Sequence, residues 1–231
     1  MGMKKIIVIS LGGSLIVPEK INVKFLEEFK KIILKNIDNY KFVIVCGGGK
    51  TARNYIEGLE NQKISNKEYL QSLLGVSTTR LNARFMTYFF GKDANKGIPH
   101  EMIDVENYLR KNNIIFCGSL RYAKKQTSDS TSAKLAHYFN CDFINLTDVS
   151  GLYEKNPKKF KNAKFIPEIS YKNFLKMFKK IKFEPGQHFV LDHTAAKIIK
   201  KHKIRTFILG PDLRNLDNLL TGKHFVGSVV E

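Results

Sequence analysis

The sequence predicts an α/β fold built on a parallel sheet, and three observations carry that prediction. Short apolar runs at 5–11 (KIIVISL) and 42–45 (FVIV) end abruptly on glycine turns. Between them lies a stretch with apolar residues at helical spacing, so strand, helix and strand follow one another as a β-α-β unit. Two more apolar runs, at 114–117 and 142–147, also end on small or polar turns, and units of this kind lay their strands side by side in parallel.

The elements follow in order. The run 5–11 is a strand closed by Gly12-Gly13-Ser14, and Pro18 marks the loop after it. Asn22 is placed to cap a helix carrying Phe25, Leu26, Phe29, Ile32 and Ile33. Strand 42–45 leads through Cys46 into Gly47-Gly48-Gly49 and then Lys50-Thr51-Ala52-Arg53, which opens a helix reaching about Leu59. A second helix spans 67–90, and its apolar stripe (Leu70, Leu73, Leu74, Leu81, Phe85, Phe89) is expected to be core or a subunit contact. Residues 93–99 read as a loop, and 114–117 as a strand ended by Gly118-Ser119. Thr127-Ser128-Asp129 has the form of a helix start with an acid in the first turn. Strand 142–147 then runs into Asp148-Val149-Ser150-Gly151-Leu152-Tyr153. Asn156-Pro157 signals a turn, Ser170 caps a helix, and Pro185-Gly186 breaks the chain. A helix over 192–202, a strand over 206–209, a short helix over 215–220 and a closing strand over 225–230 complete the reading.

Composition bounds the function. With 231 residues the chain is long enough for one large α/β domain. No apolar run approaches the roughly 20 residues that span a bilayer. The N-terminus leads straight into a strand without a cleavage site, so a cytoplasmic protein with no membrane partner is expected. Cys46, Cys117 and Cys141 have no CxxC spacing and read as buried free thiols. The six histidines have no metal spacing, and His188 and His193, which flank Asp192, read as solvated or packing residues. The formal net charge is +18. Its lysines are spread along the chain rather than clustered, which favours a solvated lysine-rich surface over a nucleic-acid face. Attraction to polyanions, RNA included, is the alternative.

The chemistry is expected at the strand ends. In a parallel sheet, Gly12-Gly13-Ser14, Gly47-Gly48-Gly49, Gly118-Ser119 and Thr147-Asp148 lie along one edge, where ligands bind. A helix start offers unpaired N–H groups and partial positive charge to an anion. Lys50 and Arg53, three apart, add charged donors to the turn after the glycine triplet. Several such turns on one edge imply an extended anionic ligand with more than one phosphate cradle. Neither glycine turn fits GxGxxG or GxxxxGK[ST], which argues against a dinucleotide fold and a Walker P-loop.

Ser10-Leu11-Gly12-Gly13-Ser14, Gly47-Gly48-Gly49-Lys50-Thr51-Ala52-Arg53, Thr127-Ser128-Asp129, Thr147-Asp148-Val149-Ser150-Gly151-Leu152-Tyr153 and Asp192-His193-Thr194-Ala195-Ala196-Lys197 occur in this order. The set resembles the amino acid kinase superfamily and, within it, the archaeal-type uridylate (UMP) kinases, from about residue 4 to 230. The resemblance implies a three-layer α/β/α sandwich with a mostly parallel central sheet. It also implies a single domain over 1–231, with an acceptor lobe over about 1–140 and an ATP lobe over about 141–231. The implied reaction is transfer of the ATP γ-phosphate to UMP, giving UDP in pyrimidine nucleotide biosynthesis, by a homohexamer acting on small nucleotides. Magnesium would be held mainly by the phosphates, with no protein ligand set.

Carried over by position, Gly13, Ser14, Gly49 and Arg53 face the transferring phosphate of ATP. Thr147, Asp148, Tyr153 and Asn156 line the ATP nucleoside pocket. Gly48, Thr127 and Ser128 hold UMP, and Ser72 stands where these kinases carry an acid on the UMP ribose. Asp192, Arg53 and Lys197 form the catalytic set. On the residues alone, the alternatives to these roles are that Asp129 and Asp192 only cap helices, that Tyr153 is a core aromatic and that Lys197 is a solvated helix lysine. The chain departs from the family pattern in having Ser10 in place of a lysine. It also carries Leu120-Arg121-Tyr122-Ala123-Lys124 in place of a Pro-Gly turn. These departures keep two alternatives open: another small-molecule phosphate kinase, such as an isopentenyl phosphate kinase-like enzyme, and a non-catalytic nucleotide- or polyanion-binding member of the fold.

Overall fold

The computed structural model describes residues 4–123, 127–180 and 190–231. The central sheet is assembled from β1 (Lys5–Leu11), β2 (Tyr40–Cys46), β3 (Ile114–Cys117), β4 (Phe143–Leu146), β7 (Glu168–Ile169), β8 (Thr206–Leu209) and β9 (Ser228–Val230), in the order β3-β2-β1-β4-β8-β9-β7. The five strands from β3 to β8 are parallel. β9 runs antiparallel to β8, and β7 follows β9. A separate hairpin pairs β5 (Leu152–Tyr153) with β6 (Phe165–Ile166).

Strand residues alternate between two cores, as the pleat requires. Ile7, Ile9, Leu11, Phe42, Ile44 and Phe116 face a core shared with α2 (Val23–Lys35), α4 (Lys67–Phe90) and α9 (Arg214–Leu220). Val8, Val43, Val45, Ile115, Phe143 and Ile208 face the opposite core. That side is covered by α5 (Met102–Lys111), α6 (Ser128–Tyr138), α7 (Tyr171–Lys180) and α8 (His193–His202). This is the three-layer sandwich. Two more helices, α1 (Gly13–Ile16) and α3 (Gly49–Gly58), start directly at the ends of β1 and β2.

Most expected elements are present. Asn22 caps α2, its side chain accepting from the Phe25 N–H at 3.4 Å, and Ser170 accepts from the Asn173 N–H at the start of α7. The three cysteines are free; Cys46 and Cys117 are fully buried, and burial pushes the Cys117 thiol up to about 12.

The apolar stripe expected of α4 divides: Phe85 and Phe89 pack against the core, while other members lie at the surface. Leu81 is 59% exposed and Leu70 lies at the surface, whereas the buried face carries Val76, Thr78, Thr79, Asn82, Ala83, Met86, Thr87 and Phe90. The reason is what α4 packs on. It crosses the turns that end β2 and β3, where only small and hydrogen-bonding side chains fit. A Cβ on Gly118 would lie 2.5 Å from the Arg80 nitrogen, and the Thr79 hydroxyl accepts from the Ser119 N–H at 2.9 Å. The helix α5 and the β5–β6 hairpin were not expected, and the closing strand covers only its last three residues. The Pro185-Gly186 break and His188 lie outside the described residues.

Candidate active site

The site forms where the strand order reverses direction, between β1 and its neighbours β2 and β4, the position at which open α/β sheets bind ligands. The turns ending β1 and β2 lie backbone against backbone. A Cβ on Gly13 would come within 2.0 Å of the Gly49 nitrogen, and one on Gly47 within 2.4 Å of the Gly13 nitrogen. Gly49 adopts φ +63°, the left-handed region that glycine enters without strain. Backbone bonds lock the arrangement: Gly47 N–H donates to the Leu11 carbonyl at 2.9 Å, and Lys50 N–H to Val17 at 2.9 Å. On the other flank, Gly12 N–H donates to the Leu146 carbonyl at 2.9 Å, tying the β1 turn to the end of β4. The buried Asn82 of α4 donates to the Gly47 carbonyl at 2.7 Å and holds the triplet from behind.

Together these turns wall a polar cavity of about 220 Å³. Gly13, Ser14, Gly48, Gly49, Arg53, Ser128, Thr147 and Asp148 all line it. Arg53 projects from the first turn of α3 and forms no ion pair with an acid among the described residues. Thr147, Asp148 and Val190 are shared with a second cleft of about 170 Å³, which adds Tyr153 and Asn156. The β5–β6 hairpin shapes that cleft, and Tyr153 packs edge-on against Phe165 with ring centres 5.3 Å apart. Asp148 is held by Lys158, and Asn156 accepts from the Lys158 N–H at 2.9 Å.

The start of α6 reaches the polar cavity through Ser128 and Asp129, and the start of α8 is tied to it. Thr127 caps α6, accepting from the Ser130 N–H at 3.1 Å. Asp192 caps α8, accepting from Thr194 N–H at 2.6 Å and Ala195 N–H at 3.0 Å. The Thr127 hydroxyl donates to the second carboxylate oxygen of Asp192, joining the caps. Beside them Asp129 accepts from the Ser10 hydroxyl at 2.8 Å. Burial, with the Asp192 charge nearby, pushes the Asp129 carboxyl up to about 7 against the pull of the Ser10 hydrogen bond.

Four expected site residues line neither cleft: Thr127 and Asp192 stand beside the polar cavity, next to its lining residues Ser128 and Asp129, while Lys197 and Ser72 are turned away from it. Lys197 is exposed on α8 and lines neither cleft, and Ser72 is exposed on α4 with its hydroxyl donating back to the Glu68 carbonyl at 2.7 Å. Asn145 and Asn82 were passed over, and Ser10 was read only as a departure from the family pattern. Ser10 is in phase with Val8 on the α6–α8 side of β1, so its hydroxyl meets Asp129. Asn145 lines the cavity from β4 and donates to the Val190 carbonyl. Asn82 supports the triplet. Ser10 and Asn145 carried a signal, since each is the one polar residue inside an otherwise apolar strand; Asn82 carried none.

The fold and the glycine-walled cleft define a phosphotransferase architecture, and the comparisons assign it. The amino acid kinase family profile matches residues 5–210, and the chain belongs to that family. It is 32% identical to the uridylate kinase of Thermoplasma volcanium, over 99% of both chains. It is also 32% identical to that of Methanobrevibacter smithii, over 97% of this chain and 98% of the other. Its structure superposes on the crystal structure of uridylate kinase from Archaeoglobus fulgidus with a TM-score of 0.84 at 30% identity, covering 99% of this chain and all of that one.

Proposed function

We propose that this chain is a uridylate kinase, transferring the γ-phosphate of ATP to UMP to give UDP. The observation that carries the reading is the contact of Gly13 with Gly47 and Gly49, which makes one continuous cradle from the ends of β1 and β2. Phosphoryl transfer asks mainly for positioning and for positive charge on the phosphate oxygens. Backbone N–H groups at Gly13, Ser14 and Gly49 supply donors, and the Arg53 guanidinium adds a cation. Thr147, Asp148, Tyr153 and Asn156 accept the ATP nucleoside in the second cleft, leaving its phosphates to run toward Gly13. Gly48, Thr127 and Ser128 hold UMP on the other side, with the α6 N-terminus facing its phosphate. Ser72 is assigned to the ribose end of UMP, and Lys197 to the outer edge of the α8 start.

Asp192 organises the centre. Its carboxylate fixes the α8 N-terminus and the Thr127 hydroxyl together, so the donor and acceptor sides are held by one group. Magnesium is assigned here as an ion held mainly by the phosphates of the bound nucleotides. Bound there, the ion would neutralise charge on the phosphates.

The lobe division, residues 1–140 for the acceptor and 141–231 for ATP, follows from the same assignment. So does a role in cytoplasmic pyrimidine nucleotide synthesis; no described helix is long and apolar enough to cross a membrane. A homohexamer completes the proposal, supported by the exposed Leu81 and Tyr88 on α4, 59% and 73% accessible.

The test is ATP-dependent ADP release with UMP, CMP and isopentenyl phosphate as acceptors. UMP is expected to give the highest kcat/KM, and Asp192→Asn to lower kcat by at least about 100-fold. Turnover with isopentenyl phosphate but not UMP overturns the acceptor assignment. Nucleotide binding with no turnover on any acceptor overturns the enzyme assignment.

A further inference from the structure

The polar cavity is short of positive charge for a phosphate site. Among the described residues that line it, Arg53 is the one cation, against two carboxylates, Asp129 and Asp148. Asp148 also lines the second cleft, so it stands where the two clefts meet. Its carboxylate is held by the Lys158 ammonium, and Lys158 lines the second cleft, so a cation is brought to that junction. The turn after β5 sets this position. Asn156 accepts from the Lys158 N–H through its side chain at 2.9 Å, and its carbonyl accepts from the Lys159 and Phe160 N–H groups at 3.1 and 3.0 Å. Pro157 restricts the backbone of the same turn. The neighbouring Lys155 is engaged elsewhere, its ammonium lying over the Phe160 ring, 5.2 Å from the centre. Of the lysines in this loop, Lys158 is the one paired with Asp148 among the described residues.

We propose that Lys158 binds the polyphosphate chain of the donor nucleotide, held beside the junction by Asp148. The inference rests on the assignment of the second cleft to the ATP nucleoside. A chain running from that cleft to Gly13 crosses the junction, because Thr147, Asp148 and Val190 are the lining residues the two clefts share. A lone carboxylate there would repel it. The Lys158 ammonium removes that repulsion by cancelling the Asp148 charge, and it adds a donor for the phosphates. The pair leaves the lysine available: its side chains are 55% and 34% exposed, and solvent-exposed ion pairs are weak. A phosphate chain offers more charge than one carboxylate. Lysine carries three donors on a flexible stem, so one ammonium can contact Asp148 and a phosphate oxygen together. Such charge-assisted contacts are among the stronger hydrogen bonds.

The test is calorimetric titration of the full chain with ATP, ADP and AMP in magnesium buffer, for wild type, Lys158→Ala, Lys158→Arg and Lys161→Ala. Lys161 is exposed and lines neither cleft. Lys158→Ala is expected to lose about tenfold in ATP affinity, the size of one charge-assisted contact. The loss is expected to be smaller for ADP and absent for AMP, because the junction lies beyond the nucleoside. Lys158→Arg keeps the charge and is expected to bind ATP within about threefold of wild type. Lys161→Ala is expected to match wild type. In steady-state kinetics Lys158→Ala is expected to raise KM for ATP by the same factor and to leave KM for UMP unchanged. Wild-type ATP affinity in Lys158→Ala overturns the proposal. So does an equal loss for ATP and AMP, because Lys158 would then only shape the nucleoside cleft. Both of those results leave the nucleotide assignment standing. A wild type that binds none of the three nucleotides overturns that assignment, and the proposal falls with it.

Discussion

Replacing Gly13 by alanine tests the backbone contact on which the site rests. The added Cβ would sit 2.0 Å from the Gly49 nitrogen and 2.7 Å from both the Gly47 carbonyl carbon and the Gly49 Cα, all main-chain atoms that cannot rotate away. Ordinary contact begins near 3.4 Å, so the turns must part by about 1.4 Å. Such overpacking costs about 1–3 kcal/mol of stability. The catalytic loss is expected to be larger, because a misplacement of about 1 Å between reacting groups costs about 100-fold in rate. The assay pairs thermal melting with steady-state kinetics in ATP and UMP. Gly13→Ala is expected to melt lower yet remain folded, with kcat/KM down by about 100-fold. Wild-type kcat/KM in the alanine variant would refute the reasoning, since the turns would then tolerate separation and could not be what aligns the phosphates.

Three further outcomes follow from particular contacts. Asn82→Ala leaves the buried Gly47 carbonyl without its side-chain donor and is expected to cost about 1–3 kcal/mol in chemical denaturation. Asp129, raised to about 7 from an unfolded value of 3.8, binds its proton more tightly when folded. Its contribution therefore falls as pH rises from about 4 to 7 and is fully present below that window. Asp129→Asn removes this dependence, so its melting temperature relative to wild type is expected to climb across that range and stay flat below pH 4. Ser10→Ala deletes the hydrogen bond that favours the charged form of Asp129. It is expected to move the upper end of that window to higher pH while leaving its start near pH 4 in place, read by the same melts.

The regular parts of the fold were legible because local pattern and tertiary burial agree there. The strand 5–11 is apolar on both faces since helices cover both, and the boundaries of β1, α4, β3 and β8 match the sequence pattern. The glycine turns were legible because tandem glycine after a buried strand admits few structures. The α4 stripe was legible only in part: Phe85 and Phe89 pack on the core, whereas Leu70 and Leu81 face outward and threonines and Asn82 fill the tight contact with the turn backbone. The β5–β6 hairpin was hidden because two-residue strands have no period to detect. Motif order pointed to Gly13, Gly49, Arg53 and Thr147, which line the polar cavity, and to Asp192, which stands beside it. The Ser10–Asp129 bond was not visible, because it joins residues 119 apart that only the packing of α6 on β1 brings together.

A crystal structure with UMP and a non-hydrolysable ATP analogue bound together tests the central claim most directly. The account predicts adenosine in the cleft of Tyr153 and Asn156, uridine on the Thr127 side, and the two phosphate chains meeting over Gly13 and Gly49. Phosphates that meet elsewhere, or a UMP bound away from the α6 N-terminus, would contradict it.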